Sequence, residues 1–488
     1  VSVLFLSVLV LALQSPGPAA PEAGALDPVA LKKSCDKGSA ADCYRLAGAH
    51  RTGEGAPKDL ARAASLVKKA CDGALPAACL DLARMHHAGD GVGKDAAKAQ
   101  ALWQRACDLG AGEGCFEVAT LYREGRDTPK DLGKAAALFT QGCEKGLARS
   151  CGAVGEMNQA GDGMPKDARG AAALFKRACD GGDLESCGRL GEAHRDGRGV
   201  PKDPAQAVAL FRQACEGKSA HGCYNLGQAH ERGEGGPRDV KAAASLYQQA
   251  CDAGDAGGCH RLGLFRRDGV GGPKDPAQTL ALFTKACEGG SGSGCYELGV
   301  LNAAGRGVVK DVAKAATLYR QGCSHGDMRG CVSLAALYRT GGAGGHVTVD
   351  PMRALSLYQE ACEGGDMQGC GQLAVMLEKA EGTYRDMPRA LALYKKACDG
   401  GSALDCYNLG RHHHTGAHVP KDLRQAAVRF KQGCDAGVAP ACYELGLQVQ
   451  KGEGVVADVV GAQSLFEKAC TAGDERACPL IKKKRRPS

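Results

Sequence analysis

Cysteines offer this chain its most reactive side chains, and their spacing narrows what they can do. The 26 cysteines fall into thirteen pairs of the form C-x7-C: Cys35 and Cys43, Cys71 and Cys79, Cys107 and Cys115, Cys143 and Cys151, Cys179 and Cys187, Cys215 and Cys223, Cys251 and Cys259, Cys287 and Cys295, Cys323 and Cys331, Cys362 and Cys370, Cys398 and Cys406, Cys434 and Cys442, and Cys470 and Cys478. Successive pairs start 36 residues apart, except for the step from Cys323 to Cys362, which is three residues longer. A zinc centre asks for two short-spaced pairs, with about two to four residues between ligands, and this pattern does not supply them. In one continuous helix, eight steps of about 1.5 Å would hold the two Cα atoms roughly 12 Å apart, too far for a bridge. A turn therefore separates the members of each pair, and Asp72-Gly73, Asp180-Gly181-Gly182, Asp252-Ala253-Gly254 and Asp399-Gly400-Gly401 place glycine where a helix would end. Each bridge then staples one helix end to the next helix start, contributing about 2.5 kcal/mol by loop entropy. No cysteine is left over as a lone thiol.

Other side chains have catalytic or ligating letters without a matching context. Histidines gather at His86-His87 and His412-His413-His414, but consecutive residues point to different faces of a helix, which makes a poor chelate. His50, His86, His194, His230 and His413 all lie seven residues after a second cysteine, where Tyr122 and Tyr338 stand in other repeats, so they are expected to fill an aromatic packing slot. Ser65-Leu66-Val67-Lys68 and Ser34-Cys35-Asp36-Lys37 match the Ser-x-x-Lys nucleophile of beta-lactam chemistry, yet no Ser-Asp-Asn or Lys-Thr-Gly partner exists in the chain. Aspartates recur at 59, 95, 131, 167, 203, 239, 275, 311, 350, 386, 422 and 458. They resemble a calcium or catalytic ladder, but each stands where a helix begins and is expected to cap it. No cofactor and no metal are expected.

The elements that position these residues follow from the same period. Three residues after each second cysteine stands Leu or Val, from Leu46 to Leu445, and the next residue is always Ala or Gly. Ten residues after the cysteine comes a glycine, broken only by Ala380. This is an amphipathic helix A of about three turns, closed by a glycine and carrying a small residue where a second helix can approach. Helix B opens at the aspartate and runs to a Leu-aromatic pair before the next cysteine, as in Leu102-Trp103, Leu210-Phe211 and Leu393-Tyr394. A 36-residue period of such hairpins is a repeat array in which each unit packs on its neighbours.

The motif L-[AG]-x-x-[YH]-x-x-G-x-G-x-x-K-D-x-x-x-A-x-x-L-[YF]-x-x-A-C resembles the Sel1-like repeat, a relative of the tetratricopeptide repeat, over Leu31 to Cys478. Its C-x7-C form is similar to the secreted cysteine-rich subfamily typified by the Helicobacter cysteine-rich proteins. The resemblance implies an all-α solenoid of Sel1-like helical hairpins with one disulfide per repeat junction, wound as a right-handed superhelix, exported, and binding protein or peptide partners. It also implies two alternatives: penicillin binding or weak beta-lactam hydrolysis, described for some members of the subfamily, and cell-wall or surface-glycan binding.

The expected organisation is an export signal over 1–25, twelve hairpins with terminal caps over 26–478, and a basic tail over 479–488. The half-unit cap spans Leu26 to Asp36, and a closing helix lies near Arg476 to Arg485. The apolar run Val1–Leu13 is too short to span a bilayer, and Ala23-Gly24-Ala25 offers a small-x-small cleavage site. The run lacks an initiator Met and a basic start, which reads as a truncated signal. Disulfides at this density fit an oxidising compartment, periplasmic or extracellular. Net charge is +7, and five of those charges are Lys482, Lys483, Lys484, Arg485 and Arg486. The near-neutral remainder excludes an electrostatic nucleic-acid footprint and leaves only a weak anionic-surface contact for the tail. A monomer is expected. The partner site is placed on helix A, five residues after the second cysteine, where Gly48, Arg84, Thr120, Glu156, Glu192 and Gln228 give way to apolar Leu264, Val300, Ala336 and Val375.

Overall fold

A computed structural model describes residues 27–481 apart from 343, 344 and 346. Within them stand 25 α-helices, one 3-10 turn and no strand. A first helix, Pro28–Asp36, starts at the Asp27 cap and precedes twelve A–B hairpins, from Ala40–Thr52 with Leu60–Asp72 to Ala439–Lys451 with Val459–Thr471. The expected signal segment 1–25 and the lysine-arginine tail fall outside the described residues. The closing element is a 3-10 turn at Cys478–Leu480 in place of an α-helix over its described part; Pro479 has no amide to donate to a continuing helix. The described hairpins form two compact units, five repeats up to Gly217 and seven from Lys218 onward.

Local chemistry accounts for the hairpin. All twelve helices B begin at their aspartate, whose carboxylate accepts from first-turn amides, as Asp59 does from Arg62 N at 2.9 Å. The ladder is structural. Its own backbone amide reaches back to the residue seven after the cysteine, as from Asp203 to His194 O at 2.8 Å, so cap and loop close together. Helix A ends on a left-handed glycine in eleven repeats, and Ala380 adopts the same conformation at φ 59° in the tenth.

The small residue beside the core leucine is a steric requirement. A Cβ added to Gly263 would lie 2.5 Å from the Phe283 ring, and one at Gly191 2.6 Å from Phe211. Phe139, Phe211, Phe283, Phe430 and Phe466 are fully buried in this contact. Truncating one to alanine is expected to cost about 3–5 kcal/mol. The insertion at 341–350 leaves the repeat intact: Asp350 N still bonds Tyr338 O at 2.8 Å and Asp350 still caps helix B.

Within each unit, helices A touch one another directly across repeats. Ala148–Ala160 meets Leu184–Asp196 in the first unit, and Ala256–Asp268, Gly292–Ala304, Met328–Thr340 and Met367–Lys379 form a consecutive series in the second. No two helices B are packed as closely among the described residues. Of the two sets, the A helices are therefore the more closely packed from repeat to repeat at these places.

Candidate binding face of the A helices

The cysteines are structural. Within each unit, the described bridges join the two members of one C-x7-C pair. In the first unit Cys35 is bonded to Cys43, Cys71 to Cys79, Cys107 to Cys115, Cys143 to Cys151 and Cys179 to Cys187. In the second Cys251 is bonded to Cys259, Cys287 to Cys295, Cys323 to Cys331, Cys362 to Cys370, Cys398 to Cys406, Cys434 to Cys442 and Cys470 to Cys478. Their Cα separations lie between 4.4 and 5.0 Å, within reach of an ordinary bridge. No described cysteine is free, Cys215 and Cys223 included. Among the described residues, the three side chains close enough to share a metal are Cys323, Cys331 and Glu360, and both sulfurs there are in a disulfide.

The residues with catalytic letters are engaged elsewhere. Ser65 and Lys68 lie exposed on helix B of the first repeat, with Lys68 Nζ paired to Asp72 at 2.7 Å. Ser34 donates to Asp42 Oδ2 at 2.6 Å. Thr52-Gly53 and Thr340-Gly341 end their helices. Neither serine is hydrogen-bonded to the lysine of its own motif among the described residues.

In the histidine slot His50 and His194 are buried, whereas His86, His230 and His413 are only half-buried, and the slot also latches the loop: His50 Nδ1 lies 3.0 Å from Pro57 O, His86 Nδ1 3.2 Å from Gly93 O and His194 Nδ1 3.3 Å from Pro201 O. The His412–His414 triplet disperses. His412 is buried and stacks on Tyr394, while His414 meets Gln448 at 3.3 Å.

Leu264, Val300, Ala336 and Val375 occupy one register on four consecutive A helices and are half-buried. Leu264 packs against the cluster of Phe283, Leu298 and Leu318, and Val300 and Val375 against that of Tyr319, Tyr358 and Leu373. The stripe thus grows out of the core and reaches solvent along its outer edge.

Flanking it runs a ladder of ion pairs from one helix A to the next, which the sequence reading did not anticipate. In the second unit Glu231 holds Arg261, Arg267 reaches Glu297 at 2.9 Å, Arg329 approaches Glu297 at 3.7 Å, and Arg339 grips Glu381, in the loop just past the next helix A, at 2.6 Å. Arg51–Asp81 at 3.3 Å and Arg189–Glu156 at 3.5 Å are counterparts in the first unit. Glu297 is pushed up by burial despite its two arginines, whereas Glu231, with burial opposing, is held below the usual carboxylate range by hydrogen bonds from Arg261 and Tyr247.

The second glycine of each G-x-G loop is another feature left unread. A Cβ on Gly199 would collide with Ala168 O, and one on Gly454 would lie 2.4 Å from Leu423 O, so the loop rests on the first turn of the preceding helix B. Its fixed position within G-x-G was the available signal.

Such hairpins, with a disulfide at each junction, define a repeat scaffold for protein interaction. The Sel1 repeat family matches residues 40–74, 76–110, 112–147, 148–183, 184–219, 220–255, 256–291, 292–327, 329–366, 368–402, 403–438 and 439–474, and the chain belongs to it. It is similar to the crystal structure of a protective antigen of uropathogenic Escherichia coli strains displaying an SLR fold, with 26% identity over 87% of this chain and 91% of that one and a TM-score of 0.59. It is also similar to a Sel1 repeat protein from Oxalobacter formigenes, at 23% identity, 51% and 96% coverage and a TM-score of 0.44. Helicobacter pylori cysteine rich protein B is 33% identical over 28% of this chain and 100% of its own, with a TM-score of 0.23. No curated protein matches the chain.

Proposed function

We propose that the chain is an exported, disulfide-stapled scaffold that holds a protein or peptide partner against the inner face of its A helices, in repeats seven to ten. The observation that carries this is the apolar stripe Leu264, Val300, Ala336 and Val375, set in a register that repeats one to six fill with polar or small residues. A half-buried apolar strip between self-paired charges favours an extended or helical segment presenting apolar side chains at intervals. Export rests on the disulfides, which an oxidising compartment maintains. No helix of the described residues is long and apolar enough to cross a membrane.

The test is the triple variant Leu264→Glu, Val300→Glu and Val375→Glu, compared with wild type in capture from a cell-envelope extract. Loss of the captured partner with unchanged helicity and melting supports the site. Retained capture, or unfolding of the variant, contradicts it.

A further inference from the structure

A cavity of about 380 Å³ opens between helix B of the eighth repeat, Val312–Ser324, and both helices of the ninth, Met328–Thr340 and Pro351–Glu363. Arg320, Leu334, Tyr338, Arg353, Ser356 and Leu357 line it, and none of them is acidic. Tyr338 occupies the slot that other repeats give to the loop-latching histidine. Its side chain is buried, at 8% exposure, and its hydroxyl oxygen accepts from Arg320 Nη2 at 3.1 Å. That leaves the phenolic proton without an acceptor among the described residues, available to donate into the cavity.

The cations are differently placed. Arg320 is exposed at the rim and has no carboxylate partner among the described residues. Arg353 lies 5.7 Å from the centre of the Tyr338 ring, with Nε 3.1 Å from its helix-cap partner Asp350, so its charge is partly offset. Leu334 and Leu357 supply apolar wall, and Ser356 a second hydroxyl. The third repeat provides an internal contrast: Tyr122 also has a cation over its ring, Lys134 at 5.3 Å, but Gln104 and Ala137 stand where the ninth repeat has Arg320 and Ser356.

We propose that this cavity binds a small organic anion, its carboxylate or phosphate head held by Arg320, the Tyr338 hydroxyl and Ser356, and its short apolar group set against Leu334 and Leu357. A guanidinium fork and neutral hydroxyl donors match an oxyanion in number and polarity, and all the free hydrogen-bonding capacity facing the cavity from these groups can donate. The site is separate from the apolar stripe, whose register on the same helix is Ala336, and it stands or falls independently of it.

The experiment uses the full chain with its disulfides intact, titrated by ligand-observed NMR with hexanoate, hexyl phosphate, inorganic phosphate and hexanol. Hexanoate or hexyl phosphate should saturate, and whichever binds more tightly identifies the head group. Inorganic phosphate should bind more weakly than its hexyl ester, and hexanol should not compete. Arg320→Gln, at an exposed position, should weaken binding by about tenfold, in line with loss of one charge-assisted hydrogen bond. Tyr338→Phe should weaken it several-fold, and Tyr122→Phe should leave it unchanged. Absence of saturable binding by both anions, equal competition by hexanol, or affinities unmoved by Arg320→Gln and Tyr338→Phe would overturn the proposal.

Discussion

Tyr247 donates its phenolic proton to Glu231 at 2.5 Å, tying the buried helix B of the sixth repeat to a carboxylate that Arg261 of the seventh also grips. The tenth repeat has a related arrangement: Tyr394 donates to Glu378 at 2.6 Å, and Arg411 and His412 of the eleventh approach the same carboxylate at 3.9 and 3.5 Å. One carboxylate thus couples the two helices of a hairpin to the next hairpin.

Tyr247→Phe keeps the ring packing and leaves Glu231 short of one donor in a partly buried site. A loss of about 1–3 kcal/mol is expected in chemical denaturation. Because Glu231 titrates below its ordinary value in the folded state, its contribution is complete above the unfolded carboxylate range and disappears as pH falls through the folded value. Glu231→Gln should accordingly lower stability at neutral pH and narrow its gap to wild type in acid.

His260 gives a second handle on pH, of the same sign and in a window that opens near neutrality. Its ring packs tilted against Phe283 at 5.9 Å between ring centres, and burial, with Arg261 next in weight, pushes its pKa from 6.5 down to about 4. The folded form stays neutral while the unfolded chain takes up a proton, so stability declines as pH drops from about 6.5 to about 4. Tyrosine holds this slot in several repeats. His260→Tyr should flatten the dependence of melting temperature on pH across that window, and an unchanged slope would contradict the assignment.

Two glycine positions predict changes of opposite sign. Ala380 sits in a left-handed conformation at φ 59°, so Ala380→Gly should stabilise by about 1 kcal/mol. Gly199→Ala must force its loop off the Ala168 carbonyl and should destabilise well beyond Gly38→Ala, where an added Cβ meets nothing within 4 Å. Thermal melts of the three variants check the order.

Bridge connectivity is open to peptide mapping without reduction. Each C-x7-C pair should be recovered as one local bridge, because helix end and helix start meet at about 4.4–5.0 Å only within a pair in the described bridges. A crosslink such as Cys79 to Cys107, or mostly free thiols, would contradict the scheme.

The hairpins were legible because their determinants are local and periodic: Asp59 and its equivalents cap, Gly53 and its equivalents terminate, and Leu46 stands beside Ala47 at the fixed offset where the second helix must approach. The charge ladder was not. Arg267 and Glu297 lie 30 residues apart at different offsets in their own repeats, so no single-repeat pattern marks the pair. The loop glycines escaped for a related reason, since what Gly199 touches belongs to the previous repeat. The histidine slot was read by its bulk, and the hydrogen bond from His50 to the Pro57 carbonyl depends on a loop path that composition does not encode. Leu264 and Val300 were visible as apolar breaks in a polar register, although their packing against Phe283 and Tyr319 emerges only in three dimensions.

Site-resolved photo-crosslinking tests the central claim most directly. A photoreactive residue placed at Val300, at its register equivalent Thr120, or at exposed Ser65 on a helix B would each be irradiated in the chain's native compartment. The account predicts one dominant protein or peptide adduct from position 300, reduced at 120 and absent at 65. Equal adducts at all three positions, or an adduct at 65 without one at 300, would contradict binding along the inner face of repeats seven to ten.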